Sequence, residues 1–204
     1  MKLISRFTLD LRSNAIRKDA YNPYDMHATL EKAGPNEQRL LWRYGRMERG
    51  KIEVFVQHSS DLDLTVINER SKSFEYDVDV LKIDEDFIKT NNIHKFSLVA
   101  NPSIKTGNKR KALLRLESQY EWLHRKGEQH GFEVLGAMVS DGQMVDAVPI
   151  NREKHEIRFY RAKIEGDLRI TDRDKFIKAL YEGVGPERGF GCGMLMIDRI
   201  LRRV

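Results

Sequence analysis

Cysteine is nearly absent from this chain of 204 residues. The one thiol, Cys192, can form no intrachain disulfide, and a Cys-based zinc site would need two or more thiolates at short spacing. Proline is sparse, with five residues, and no segment is of low complexity, which argues against long disordered regions. No apolar run approaches the roughly 18 residues that a membrane helix needs. The start, Met1-Lys2-Leu3-Ile4-Ser5-Arg6, lacks the apolar stretch of a signal peptide. These absences predict a soluble cytoplasmic protein with no membrane partner. The histidines stand at 27, 58, 94, 124, 130 and 155, and none pairs with another at metal-ligand spacing, so neither a metal site nor a cofactor is expected.

What the chain has is charge, unevenly placed. Residues 1–100 hold 16 basic and 16 acidic side chains, and residues 101–204 hold 20 and 15, so the whole net charge of +5 lies in the second half. Such an excess points to a polyanion, most often a nucleic acid. From Asn101 through Leu116 there is no acid, while Lys105, Lys109, Arg110, Lys111 and Arg115 supply five positive charges. Read plainly this is a solvated loop; read functionally, Lys105, Lys109, Arg110 and Lys111 contact phosphate. A second, weaker basic set is Arg152, Lys154, Arg158, Arg161 and Lys163, diluted by Glu153, Glu156 and Glu165. On a strand, Arg161 and Lys163 share one face and Arg158 takes the other.

The periodicities give the same order of elements twice. In the first half a strand over 2–9 precedes a polar stretch, Arg12 to Tyr21, and then a helix. Asn22 can cap that helix, Pro23 suits its first position, Asp25 its first turn, and Gly34-Pro35 stop it. Strands follow at 40–44 and 51–57. Residues 58–92 show no clean period and leave room for one short helix before a strand at 94–100. In the second half a helix runs from about Glu117 to His130. Strands at 132–139 and 144–148 flank a turn at Asp141-Gly142, and another at 155–165 turns at Gly166-Asp167 into 168–170. A last helix ends at Gly183, and a glycine-rich loop leads to a strand at 193–197. The expected fold is α+β: two tandem ferredoxin-like (RRM-like) domains, over residues 1–92 and 93–204, each an antiparallel sheet with helices on one face.

The loop Gly183 to Gly193 has five glycines in eleven residues. It follows a helix and opens a strand, the reverse of a dinucleotide fingerprint, and lacks the Gly-Lys-Ser/Thr of a P-loop. Its amides at Gly185, Gly189 and Gly191, with Arg188, could cradle a phosphate backbone, or the loop is an unusual turn packed on the other domain. Tyr24 and His27 share a face of the first helix, one turn apart, and an imidazole beside a phenol is a plausible acid–base pair, although a lone histidine is commonly structural.

Several segments together resemble the CasE family, the repeat-cleaving endoribonuclease of type I-E, Cascade-type CRISPR complexes. They are Asn22-Pro23-Tyr24-Asp25-Met26-His27-Ala28-Thr29-Leu30, Leu40-Leu41-Trp42-Arg43, Ala100-Asn101-Pro102 with Lys105-Thr106 and Lys109-Arg110, Trp122-Leu123 with Arg125-Lys126, and Gly183-Val184-Gly185-Pro186 to Gly191-Cys192-Gly193-Met194-Leu195. The resemblance implies a metal-independent RNase that binds the stem-loop of a CRISPR repeat precursor, cuts at the stem base and stays with other subunits of the complex. It implies His27 as the catalytic histidine, Tyr24 as its neighbour, and Lys32, later in the helix but turned from the Tyr24 and His27 face, as a third catalytic candidate. Where a close relative would carry arginine, this chain has Ala28. The chemistry needs only the RNA's own 2′-hydroxyl, a base, an acid and cations. The competing classes are a non-catalytic structured-RNA-binding module and a structural subunit whose basic face meets nucleic acid only inside an assembly.

Overall fold

A computed structural model of the chain describes residues 2–34, 40–72, 74–107, 109–149, 157–198 and, as backbone, 201–203. The first unit opens with β1 (Leu3–Asp10), on which Phe7 and Leu9 turn toward the helices. The polar stretch after it is a helix, α1 (Asn14–Tyr21), capped by the Ser13 hydroxyl and anchored by one buried apolar side chain, Ile16. With Asp19 as the other buried residue, a single inward apolar side chain leaves too weak a period to read from sequence. The next helix, α2 (Pro23–Ala33), has the predicted start: the Asn22 side chain accepts from the Tyr24 amide, Pro23 fills the first turn, and Gly34 is the C-cap.

β2 (Leu41–Glu48) and β3 (Lys51–His58) follow, then α3 (Leu64–Ser71) and β4 (Asp77–Ile83). The second unit runs through β5 (Ile93–Ala100), a hairpin of β6 (Ser103–Thr106) and β7 (Lys109–Ala112), α4 (Leu116–His130), β8 (Phe132–Ala147), β9 (Ile157–Ile170), α5 (Arg173–Glu182) and β10 (Leu195–Ile197). Strand order is β4-β1-β3-β2 in the first sheet and β10-β5-β9-β8 in the second. In both, the first and third strands are central and pair antiparallel, which is the ferredoxin-like order. β11 (Leu201–Arg203) returns to the first sheet and pairs with β4.

Two turns read from glycine are absent as turns. Asp141-Gly142 is a bulge inside the continuous β8, where the register with β9 shifts between Ser140 and Gln143 and Asp141 takes a left-handed φ of 52°. Gly166-Asp167 lies within the continuous β9, because a side chain at Gly166 would collide with the Gly136 carbonyl of β8. In neither place does glycine serve reversal: Gly142 leaves room for the Tyr160 hydroxyl, and Gly166 for the neighbouring strand. The basic segment after Asn101, read as a loop, is the β6–β7 hairpin.

Each unit has its own core under its helices, and Ile4, Leu41 and Ile83 of the first unit pack into the core of the second. No helix among the described residues is long and apolar enough to cross a membrane.

Candidate functional site

The glycine-rich loop lies between a tryptophan of each unit. A side chain at Gly191 would stand 3.1 Å from the Trp42 ring, and one at Gly185 would stand 2.9 Å from the Trp122 ring; both residues have φ near +80°, so glycine is required twice over. The Trp42 indole N–H donates to the Gly189 carbonyl at 2.9 Å. That bond presents Gly189 to His27, where an added methyl would sit 3.4 Å from the imidazole Cε1. The Phe190 ring then lies 5.8 Å from His27 and 5.9 Å from Tyr24. The loop thus fixes the imidazole by packing.

His27 is held on its helix as well. Its Nε2 lies 3.2 Å from Glu31 Oε1, one turn on, while the buried Nδ1 has no hydrogen-bonding partner among the described residues. Nε2 is therefore the nitrogen available for chemistry. His27 lines a cleft of about 610 Å³ together with Lys2, Glu31, Tyr181, Arg188 and Gly189 among others. The Lys2 ammonium donates to the Tyr181 carbonyl at 3.2 Å. Beneath the helix, Thr29 Oγ1 donates to the buried Asp19 at 3.0 Å, and Arg70 closes an ion pair on the same carboxylate. Burial pushes the Asp19 carboxyl upward against the opposing pull of Arg70.

Gly185, Pro186 and Arg188 also line a second groove, of about 480 Å³, with Lys105 and Arg110 of the hairpin and Trp122, Arg125 and Lys126 of α4. In the hairpin Lys105 stands directly opposite Arg110 on this face, and Lys109 and Lys111 are exposed on the other. Like charges placed opposite cost stability. Burial lowers the Lys126 ammonium below its ordinary range, and Arg125, Arg188 and Arg110 lower it further; no acid opposes them. Such a groove is built for an anion.

The remaining sequence candidates fall elsewhere. Tyr24 does not line the His27 cleft: its ring stacks on Phe190 and packs with Val145, Ala147, Phe159 and Cys192. Lys32 is exposed in the last turn of α2, roughly 140° around the helix from His27. Arg158 pairs with Asp146 at 3.3 Å. Arg161 lies on the opposite face of β9, 5.8 Å over the Tyr44 ring, in a separate cleft between the units with Arg43 and Lys163. Arg152 and Lys154 lie outside the described residues. Sequence reasoning did not single out Lys2, Glu31 or Phe190. Of these, only Glu31 carries a local signal that could have found it, its i, i+4 spacing from His27; nothing local marks the other two.

The sequence profile of a family described as CRISPR associated protein matches residues 3–199. The CRISPR-associated endoribonuclease Cse3 of Thermus thermophilus is 29% identical over 95% of this chain and 98% of its own. Two solved structures share the fold along the chain. One, Cse3 bound to 19 nt RNA, has a TM-score of 0.79 at 27% identity, covering 96% of this chain and 98% of its own. The other, Thermus thermophilus Cse3 bound to an RNA representing a pre-cleavage complex, has a TM-score of 0.78 at 26% identity with the same coverage. With a profile match over nearly all its residues and the two-unit fold those structures share, this chain belongs to the CRISPR associated protein family.

Proposed function

We propose that this protein is a metal-independent endoribonuclease that grips the stem-loop of a CRISPR repeat transcript and cuts at the base of the stem. One observation carries the reading: Arg188 lines both the cleft that holds His27 and the basic groove of Lys105, Arg110, Arg125 and Lys126. A phosphate backbone lying along the groove is led past Arg188 to the imidazole. The name of the Thermus thermophilus relative, an endoribonuclease, and the RNA in the two similar structures support the same substrate class.

The chemistry follows from RNA itself. The 2′-oxygen attacks the adjacent phosphorus and loses its proton to a base. The bond from phosphorus to the 5′-oxygen breaks, that oxygen takes a proton from an acid, and the products are a 2′,3′-cyclic phosphate and a 5′-hydroxyl. His27 Nε2 moves one of these protons, and Tyr24 acts as a positioning residue by backing Phe190, which packs on the imidazole. Lys2 and Arg188 are the cations that line the cleft, and they neutralise the charge that builds on the phosphoryl oxygens. They do so where Ala28 offers no charge and Lys32 faces outward. We extend the reading to a cytoplasmic subunit of a Cascade-type complex that keeps its product, in line with the sequence resemblance.

Incubating the protein with the repeat RNA of its own array in EDTA tests this. Cleavage at one position, ending in a cyclic phosphate and abolished by a 2′-deoxy nucleotide at the attacking position, is expected. Tight binding without cleavage would make the protein an RNA-binding module, and dependence on added metal would overturn the mechanism.

A further inference from the structure

We infer that Asn22 is a positioning residue for cleavage, whose carboxamide ties the start of the histidine-bearing helix to the end of β8 in the other unit. The inference rests on reading the His27 cleft as the ribonuclease centre. Three hydrogen bonds define the tie. Asn22 Oδ1 accepts from the Tyr24 amide at 3.2 Å, which caps α2. The same oxygen accepts from the Val148 amide at 3.2 Å, and Asn22 Nδ2 donates to the Val148 carbonyl at 2.8 Å. The side chain thus meets both main-chain groups of Val148, as a neighbouring strand would, one residue past the end of β8.

Capping alone does not need asparagine, since aspartate and serine cap about equally well. Only the carboxamide offers a donor and an acceptor side by side at this reach. His27 follows five residues later, about 7.5 Å along the axis. The cleft is assembled from both units: His27, Glu31 and Lys2 come from the first, and Arg188 and Gly189 from the second. Their separation is therefore set by the interface. Its apolar part, including Ile4, Leu41 and Ile83, holds the units together without direction, whereas paired hydrogen bonds fix an angle and a register. Other polar ties join the units, among them Trp42 to Gly189 and Arg43 to Ser97. The tie through Asn22 is made by the cap of the catalytic helix itself.

The test separates the cap from the tie. Asn22→Ser keeps a capping oxygen but is too short for Val148, and Asn22→Asp keeps both acceptor roles while setting a carboxylate against the Val148 carbonyl. In single-turnover cleavage of the repeat stem-loop at saturating protein, Asn22→Ser is expected to slow the cut about tenfold or more, because small misplacements of reacting groups are costly. Its affinity for the same RNA with a 2′-deoxy nucleotide at the cut is expected to stay within about twofold of wild type. Asn22→Asp is expected to be slowed as well. Exchange of the Val148 amide hydrogen reads the tie without any reaction and is expected to speed up in Asn22→Ser. A wild-type cleavage rate in Asn22→Ser, a loss of affinity equal to the loss of rate, or unchanged Val148 exchange would overturn the inference. His27→Ala in the same assay judges the ribonuclease reading separately, since an active His27→Ala removes that reading while the exchange measurement still decides the tie.

Discussion

The two depressions that meet at Arg188 differ in charge. The one before His27 mixes Lys2 and Arg188 with Glu31, Glu182 and Glu187, and burial pushes the Glu187 carboxyl upward. Among the described residues, the charged groups that line the groove under the β6–β7 hairpin are all cations. The contrast separates two tasks. A groove without acids attracts any phosphate backbone at long range and falls off with salt, whereas the mixed cleft holds proton-transfer groups and repels a backbone that arrives out of register. On the proposed function the basic groove supplies grip and the cleft supplies chemistry, joined by Arg188, which lines both.

Breaking the cleft alone has the largest expected effect. His27→Ala should slow cleavage by about 10²–10⁴-fold, the range for a lost acid or base, with RNA affinity unchanged in a filter-binding titration. Breaking the junction comes next: Arg188→Ala should lower the single-turnover rate by about 10²-fold and weaken binding too, because it removes a cation from both depressions. Breaking the groove alone should spare the cut. Lys105→Ala with Arg110→Ala should weaken binding and reduce the slope of log affinity against log salt by roughly 2, one for each lost phosphate contact, while the rate at saturating protein stays near wild type. The smallest effect on catalysis is expected beneath the helix. Asp19→Ala leaves Arg70 without its buried partner and should cost about 3 kcal/mol in urea unfolding, with cleavage at low temperature largely kept.

How much of this was readable in advance follows from how local each feature is. The start of α2 was legible, because Asn22, Pro23 and Asp25 act through neighbouring amides and the helix dipole. The ferredoxin-like order was legible from alternating periods, and of the basic groove only the Lys105 and Arg110 wall from an acid-free run. Asp141-Gly142 and Gly166-Asp167 misled because a bulge or a close strand contact uses the same residues as a turn. α1 was passed over because it buries a single apolar side chain. The second role of the glycine loop, holding Trp42 and His27 in place, depends on packing between residues far apart in sequence. So do the parts played by Lys2, from β1, and Phe190, from that loop.

On the proposed function His27 cuts and does not grip, and single-turnover cleavage and binding of the repeat stem-loop by His27→Ala in EDTA decides it. A complex as tight as wild type in which the RNA stays whole is expected; an intact rate of cleavage, or a loss of binding in step with the loss of cleavage, would refute that role.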